Sequence, residues 1–373
     1  MAEKKPNHNA WLGRLAGSAS EARGRLAEDR RERETEGKRK DSIILTPKDI
    51  RSGVWDASRI LNTTLGGKLR KIEREDLPVF QRNMDTARAK LGIIKQPDGS
   101  YFQKGITARQ IINLSREVDR ERTYKTYKDR GKEIQPIRQA VPVSASGGLV
   151  KFITSAGGST KGVVRHHVSV EFLNFTAEAS TARKTDRAAA LSIKKGPLKF
   201  DCDCKHHRFF LRYISTIGGF NAGRPETGFP KIRNPGLDGV ACKHVLRVMA
   251  EIETGGSPLA FLTRHVAKIR ASDSGAAISK MAQRDAERTV KNQALRTTGA
   301  EVRYKDIPLL KKAAEKAVPL KKIPPRTRKP RPKPMPPGDM RAALEAELRQ
   351  TLAALGLEPT PDQINTYVNA RMP

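Results

Sequence analysis

Val168, Val170 and Phe172 alternate with His167, Ser169 and Glu171, and Leu198, Phe200, Cys202 and Cys204 alternate with Lys199, Asp201 and Asp203. An apolar residue at every second position predicts half-buried strands. Residues 149–153 form a short apolar run and predict a further strand, and the β texture begins at Ala140. The glycine-rich stretch 155–162 lacks the spacing of a phosphate-binding loop and precedes no helix pattern, so it reads as a hairpin connection. His166 and His167, as neighbours on a strand, are expected on opposite faces.

Helical spacing appears elsewhere. Val245, Val248, Met249 and Ile252 repeat at it, with Gly255 placed to end the helix. Ser257-Pro258 opens another helix, with Leu259, Leu262 and Val266 inward. Thr107 caps one in which Ile111, Leu114 and Val118 share a face, and Thr46-Pro47 starts a region where Trp55, Ile60, Leu61, Val79 and Phe80 supply apolar contacts. A helix is expected over 206–217, followed by a Gly/Pro-rich loop over 218–239. Near the C-terminus Leu344, Leu348, Leu352 and Leu355 form a stripe ended by Gly356. Thr360-Pro361 then starts a short helix bearing Ile364, Tyr367 and Val368.

The polar stretches complete the division. Residues 1–45 are charged without an apolar face and read as an arm. A mainly helical region follows over 46–135, then a β-rich core over 140–272 containing a module at 198–255, and a charged helical region over 273–317. Residues 318–337 are rich in Pro, Lys and Arg with no acid, which predicts an extended basic linker. The segment 338–373 carries the terminal amphipathic helices. The expected fold class is α+β, a small stapled strand-and-helix module within a mixed core, flanked by helical and extended basic arms.

Composition shifts this picture toward a polyanionic partner. The 373 residues carry 72 Lys and Arg against 40 Asp and Glu, a formal charge of +32, and only 37% are hydrophobic. Such an excess repels itself unless nucleic acid or an acidic surface compensates it. Lys321, Lys322, Arg326, Arg328, Lys329, Arg331 and Lys333 of the linker are the candidate contacts to nucleic acid or a partner. Tyr124 and Tyr127, among the bases of 120–132, have the composition of a stacking surface or of a solvated helix end. No apolar leader region and no apolar stretch of membrane-spanning length is present, so neither a signal peptide nor a membrane is expected.

All three cysteines fall in the 198–255 module. Cys202 and Cys204 on a strand place both thiols on one face, about 7 Å apart along the backbone. A bend in the strand would bring both within reach of one zinc ion, whose bonds to sulfur are about 2.3 Å. Cys242 and His244, at the entrance to the 245–252 helix, complete a set of four. His206 and His207 compete for the fourth position; His244 is preferred because it starts the helix in register with Cys242. Four ligands close a tetrahedral sphere and leave no place for a substrate, the design of a structural Zn2+ site. Lys205 and Lys243 are placed to offset its net negative charge.

Cys202-Asp203-Cys204, then 37 residues, then Cys242-Lys243-His244 resembles the SWIM zinc finger, with its CxC pair followed by CxH. That resemblance implies a β-hairpin leading into a helix with zinc between them, a role in binding DNA or protein, and no fixed activity. The gap between the pairs is longer than the family's usual one.

The sequence offers no poised catalytic group. The deaminase, HExxH, GxSxG and Walker patterns are absent, and Asp201 and Asp203 lack the third acid of a metal-dependent nuclease. The expectation is a non-enzymatic structural protein of a virion or nucleoprotein complex, resembling phage-encoded structural proteins in texture and located in the virion or cytoplasm. Its expected partners are other assembly subunits or a second copy of the chain, held through the terminal arms and the Leu344/Leu348/Leu352 helix, together with nucleic acid. The alternative is a DNA-binding SWIM protein of recombination, transposition or DNA packaging.

Overall fold

The computed structural model describes residues 11–299 and 341–371, apart from 57, 97–100, 103–104, 159–161, 195, 255, 273, 343, 347 and 350–357. It divides into two units, Met1–Val302 and Arg303–Pro373.

The first unit opens with α1 (Leu15–Lys38) and α2 (Pro47–Ser52). Thr46 and Asp49 form a reciprocal capping box at the start of α2, and Gly53 ends it at φ 67°. The strand pair β1 (Asn62–Thr63) and β2 (Arg70–Lys71) leads to α3 (Asp76–Lys90), and β3 (Ile94–Lys95) pairs with β4 (Tyr101–Phe102). Helices α4 (Ala108–Leu114) and α5 (Glu117–Tyr124) precede the hairpin β5 (Tyr127–Asp129) and β6 (Lys132–Ile134).

The main sheet comprises β7 (Ala140–Ser146), β8 (Leu149–Ser155), β9 (Arg165–Phe172), β10 (Leu198–Cys202) and β11 (Ile278–Lys280). It is antiparallel throughout, in the order β10-β9-β8-β7-β11. Between β9 and β10 lie α6 (Phe175–Ala179) and α7 (Thr185–Lys194). A π-helical turn (His207–Leu211) follows β10 and runs into α8 (Arg212–Ile217); α9 (Lys243–Thr254), α10 (Gly256–Arg270) and α11 (Gln283–Gly299) complete the unit.

The alternating patterns become the core. Val168, Val170 and Phe172 of β9 face Cys202, Phe200 and Leu198 of β10 in register, and all six are at most 2% exposed. Helix α9 lies against β7–β10 and buries Val245, Val248, Met249 and Ile252 there, with α4 and α5 on its other side. Side chains of this size contribute about 1.5–3 kcal/mol each when fully buried, so this α9–sheet layer is the main apolar support of the unit.

Several expectations change. Ser115 caps the end of α4 with its hydroxyl on the Ile111 carbonyl, and the chain restarts as α5. Leu114 and Val118 are therefore no longer on one helix face, and both are partly exposed; Ile111 and Ile112 are the buried pair. Ile60 is 66% exposed, whereas Leu61 and Phe80 are buried. In α10, Phe261 joins Leu262 and Val266 inside while Leu259 is half-buried. Within the charged stretch after residue 273, α11 buries Ala286 and Val290. Its Gln293 amide exchanges two hydrogen bonds with the backbone of Ala140, at 3.0 and 2.7 Å.

The segment read as an N-terminal arm is largely helix α1, docked by charge rather than by apolar contact. Only Ser18 and Asp29 of α1 are buried. Glu21 accepts from Arg165 at 2.6 Å, Asp29 from Arg212 at 2.7 Å, and Arg33 donates to Glu226 at 2.6 Å. Arg208 pairs with both Asp29 and Glu32. A mixed-charge sequence shows no stripe because complementarity with residues some 140–195 places away has no local signature.

In the second unit, 341–349 are helical where described, and α12 (Pro361–Arg371) buries Ile364 and Val368. Leu344 and Leu348 are half-buried; Leu352, Leu355, Gly356 and the linker lysines and arginines of 321–333 lie outside the described residues, as does Gly255. No described helix is long and apolar enough to cross a membrane.

Candidate metal centre

Strand β10 ends at Cys202, and the chain bends at Cys204 into the π-helical turn. That bend supplies what a straight strand could not. The donor atoms of Cys202, Cys204, Cys242 and His244 all lie within 4.8 Å of one another. Bonds of about 2.3 Å in a tetrahedron put sulfur ligands about 3.8 Å apart, so the cluster is within about 1 Å of what zinc requires. The residues are 1%, 4%, 0% and 3% exposed, which closes the site to solvent. Among the described residues this is the one grouping of metal-binding side chains.

Two thiols sit at the starts of helical segments. The His207 backbone N–H donates to Cys204 Sγ at 3.3 Å. Cys242 immediately precedes α9, and its carbonyl accepts from Leu246. Burial raises the Cys242 thiol, but hydrogen bonds with Cys202, Cys204 and the backbone N–H groups of Val245 and His244 outweigh it and hold the thiol well below its usual range. Cys204 is lowered too, because its hydrogen bond with Cys202 offsets burial. Cys202 carries the opposite sign: burial, reinforced by the neighbouring thiols, pushes it well up. Metal ligation requires deprotonated thiols, and the lowered Cys204 and Cys242 are shifted in that direction.

His244 is neutral at physiological pH, since burial and then the nearby His166 pull it down to about 4. Its Nδ1 is 4.0 Å from Cys242 Sγ, and its Nε2 is buried without a hydrogen-bond partner. An orphaned ring nitrogen beside three thiols fits a metal ligand. The two competing histidines are placed elsewhere. His206 packs on the Phe210 ring at 4.9 Å, and His207 packs on Phe200 with Nε2 3.0 Å from Asp201.

Asp203 organises the surroundings. Its carboxylate accepts from His166 Nδ1 at 2.8 Å, His167 Nδ1 at 2.9 Å, the His167 backbone at 3.1 Å and Arg25 at 2.5 Å. A carboxylate this far below its usual range can only accept, so both Nδ1 atoms carry the proton. His167 Nε2 shares a hydrogen bond with the Ser18 hydroxyl of α1 at 2.7 Å, and the His166 ring lies 4.2 Å from that of His244. The two histidines on opposite strand faces thus converge on one carboxylate, because Asp203 lies past the end of β10 where it meets both. Sequence pattern alone misses this, because nothing in it pairs the strand of Cys202 with that of His166 and His167.

Lys243 is buried next to the thiols and donates to the Tyr127 hydroxyl at 3.3 Å, while Arg122 stacks on that ring at 4.8 Å. Tyr127 is engaged in supporting the site and its face is not free for a base. Lys205, by contrast, is exposed. Asp201 points away from the cluster toward Arg212, which it binds at 3.1 Å.

Of the 37 residues between the ligand pairs, the Gly/Pro-rich part packs on the region before α4. Thr63 donates to the Lys231 carbonyl at 2.8 Å and Asn83 to the Pro235 carbonyl at 2.8 Å. Phe229 packs on Phe80 with ring centroids 4.7 Å apart. Comparison with protein-family models, with curated proteins and with solved structures gave no match to this chain.

Proposed function

We propose that Cys202, Cys204, Cys242 and His244 hold a structural zinc ion in the manner of a SWIM finger, and that the chain is a non-enzymatic structural component of a nucleoprotein assembly, such as a virion. The observation that carries this reading is the closed, buried set of three thiols and one imidazole, with no open coordination position and no approach for a substrate. Bound there, zinc would tie the end of β10 to the start of α9, the helix on which the apolar core rests. The chain's own part is to supply thiols lowered at two helical starts, keep the imidazole neutral, and hold the loop through Asp203.

The surplus of 32 positive charges supports a polyanionic partner, and the terminal segments, with their basic proline-rich connection, suit threading between neighbours. Metal analysis of the purified protein together with DNA binding at two salt concentrations tests the proposal. One equivalent of zinc, lost on unfolding, is expected. Metal-free protein that keeps full thermal stability in excess chelator would sink the zinc reading. Zinc without salt-sensitive DNA binding would restrict the assembly to protein contacts.

A further inference from the structure

Helix α1 sorts its charges by face. Glu21, Asp29, Glu32 and Glu36 are all engaged, with Arg165, Arg212 and Arg208 of the core or with Arg39. Two of its bases point inward as well, Arg25 to Asp203 and Arg33 to Glu226. What is left outside is mostly positive. On the helix Arg23, Arg30, Arg31 and Lys38 are exposed with no carboxylate partner, against Glu28 and Glu34 of opposite sign, and exposed Arg14 and Lys40 flank its ends. At 3.6 residues per turn, Arg23, Arg30, Arg31 and Lys38 fall on the face turned away from Asp29, with Glu34 among them. Docking engages four of the six acids of α1 and two of its six bases, so the balanced helix presents an outer face with four bases against two acids.

From Arg23 to Lys38 the ridge extends about 23 Å at 1.5 Å per residue, about two-thirds of one duplex turn. Its C-terminal half borders an open cleft of about 520 Å³, whose lining includes Arg30 and Lys40 from the unpaired set. The ridge is also held rigidly, since Arg25, Ser18 and Asp29 anchor it to the zinc loop and to buried Arg212.

We infer that the outer face of α1 is a phosphate-backbone contact surface for duplex nucleic acid, a deepening that rests on the nucleoprotein reading. Contacts to phosphate read charge and spacing without base sequence, so the surface serves packing or scaffolding rather than site selection.

The test uses the full-length, zinc-loaded chain and compares two fourfold variants. One is Arg23→Gln, Arg30→Gln, Arg31→Gln and Lys38→Gln. The other removes the same charge from other exposed positions, Lys151→Gln, Lys184→Gln, Arg187→Gln and Lys194→Gln. Binding to a short mixed-sequence DNA duplex, and to an RNA duplex of the same length, is measured over a salt series, with polyglutamate as competitor. The ridge variant is expected to lose about 0.9 in the log–log salt slope for each contact removed, roughly 2–4 in all, while the charge-matched control keeps most of its slope. The duplex bound more tightly identifies the source. Equal losses in both variants, or displacement by polyglutamate at equal charge, overturn the ridge. So does unchanged binding in the ridge variant, although nucleic-acid binding itself then stands. A wild-type chain without salt-dependent binding overturns both the ridge and the nucleic-acid part of the function.

Discussion

Arg25 of the N-terminal helix donates to Asp203, the residue between two of the cluster's thiols, at 2.5 Å. A segment with no apolar face is thereby anchored to the loop that carries the cluster's thiols, and the integrity of that loop governs the anchoring.

Chelation is expected to release more than the loop. Structural zinc supplies about 10 kcal/mol or more to small zinc domains, comparable to the ~5–15 kcal/mol total stability of a typical domain. Excess chelator, or Cys242→Ala, should therefore abolish protection over 198–252 and also over α1. Hydrogen exchange read by mass spectrometry checks both at once. Retained protection in α1 with loss at 198–252 would contradict the coupling through Asp203.

Asp203→Asn leaves the shape but removes the charge that Arg25 and both histidines address. A destabilisation of about 3–5 kcal/mol is expected for breaking a buried pair of this kind. Arg25→Ala should cost less, because its side chain is 25% exposed. A double-mutant cycle in denaturant should return a coupling of about 0.5–3 kcal/mol; additive single effects would show that Arg25 is incidental.

Lys231 gives a pH signature. Burial, then repulsion by Arg59 and Arg33, pulls its pKa down to about 8, although its ammonium donates to the Ile43 carbonyl at 2.6 Å. The unfolded chain therefore binds more protons than the native one between about pH 8 and the ordinary lysine value near 10.5, and stability contributed at this site rises with pH across that window. Below pH 8 the full burden remains. The stability difference between wild type and Lys231→Met should be flat below pH 8 and shift in favour of wild type above it. A difference independent of pH over that range would exclude the shift.

A Cβ at Gly223 would overlap the Asp201 carboxylate, which holds Arg212 in place. Gly223→Ala should cost about 1–3 kcal/mol, the usual range for overpacking, and lower the thermal midpoint. Unchanged stability would mean that the 218–239 loop yields without disturbing Asp201.

The strand alternation at 168–172 and 198–202 was legible because one sheet face is buried and the other is not. The four donors were legible because metal chemistry restricts both residue type and spacing. Other features depend on distant parts of the chain. The convergence of His166 and His167 needs the β9–β10 register and the bend after Cys202. The docking of α1 needs Arg165, Arg208 and Arg212, whose complementarity to Glu21, Glu32 and Asp29 leaves no periodic trace. The break between α4 and α5 rests on Ser115 taking the Ile111 carbonyl, which a hydrophobic count overlooks.

Synthesis runs from the N-terminus, and α1 leaves the ribosome some 140–195 residues before the arginines and acids that receive it. At roughly 5–20 residues per second that is about 7–40 seconds of waiting. An amphipathic helix would spend that interval seeking any apolar surface. With only Ser18 and Asp29 destined for burial, α1 waits in water at no risk of sticking, and finds its seat by long-range attraction once the arginines emerge.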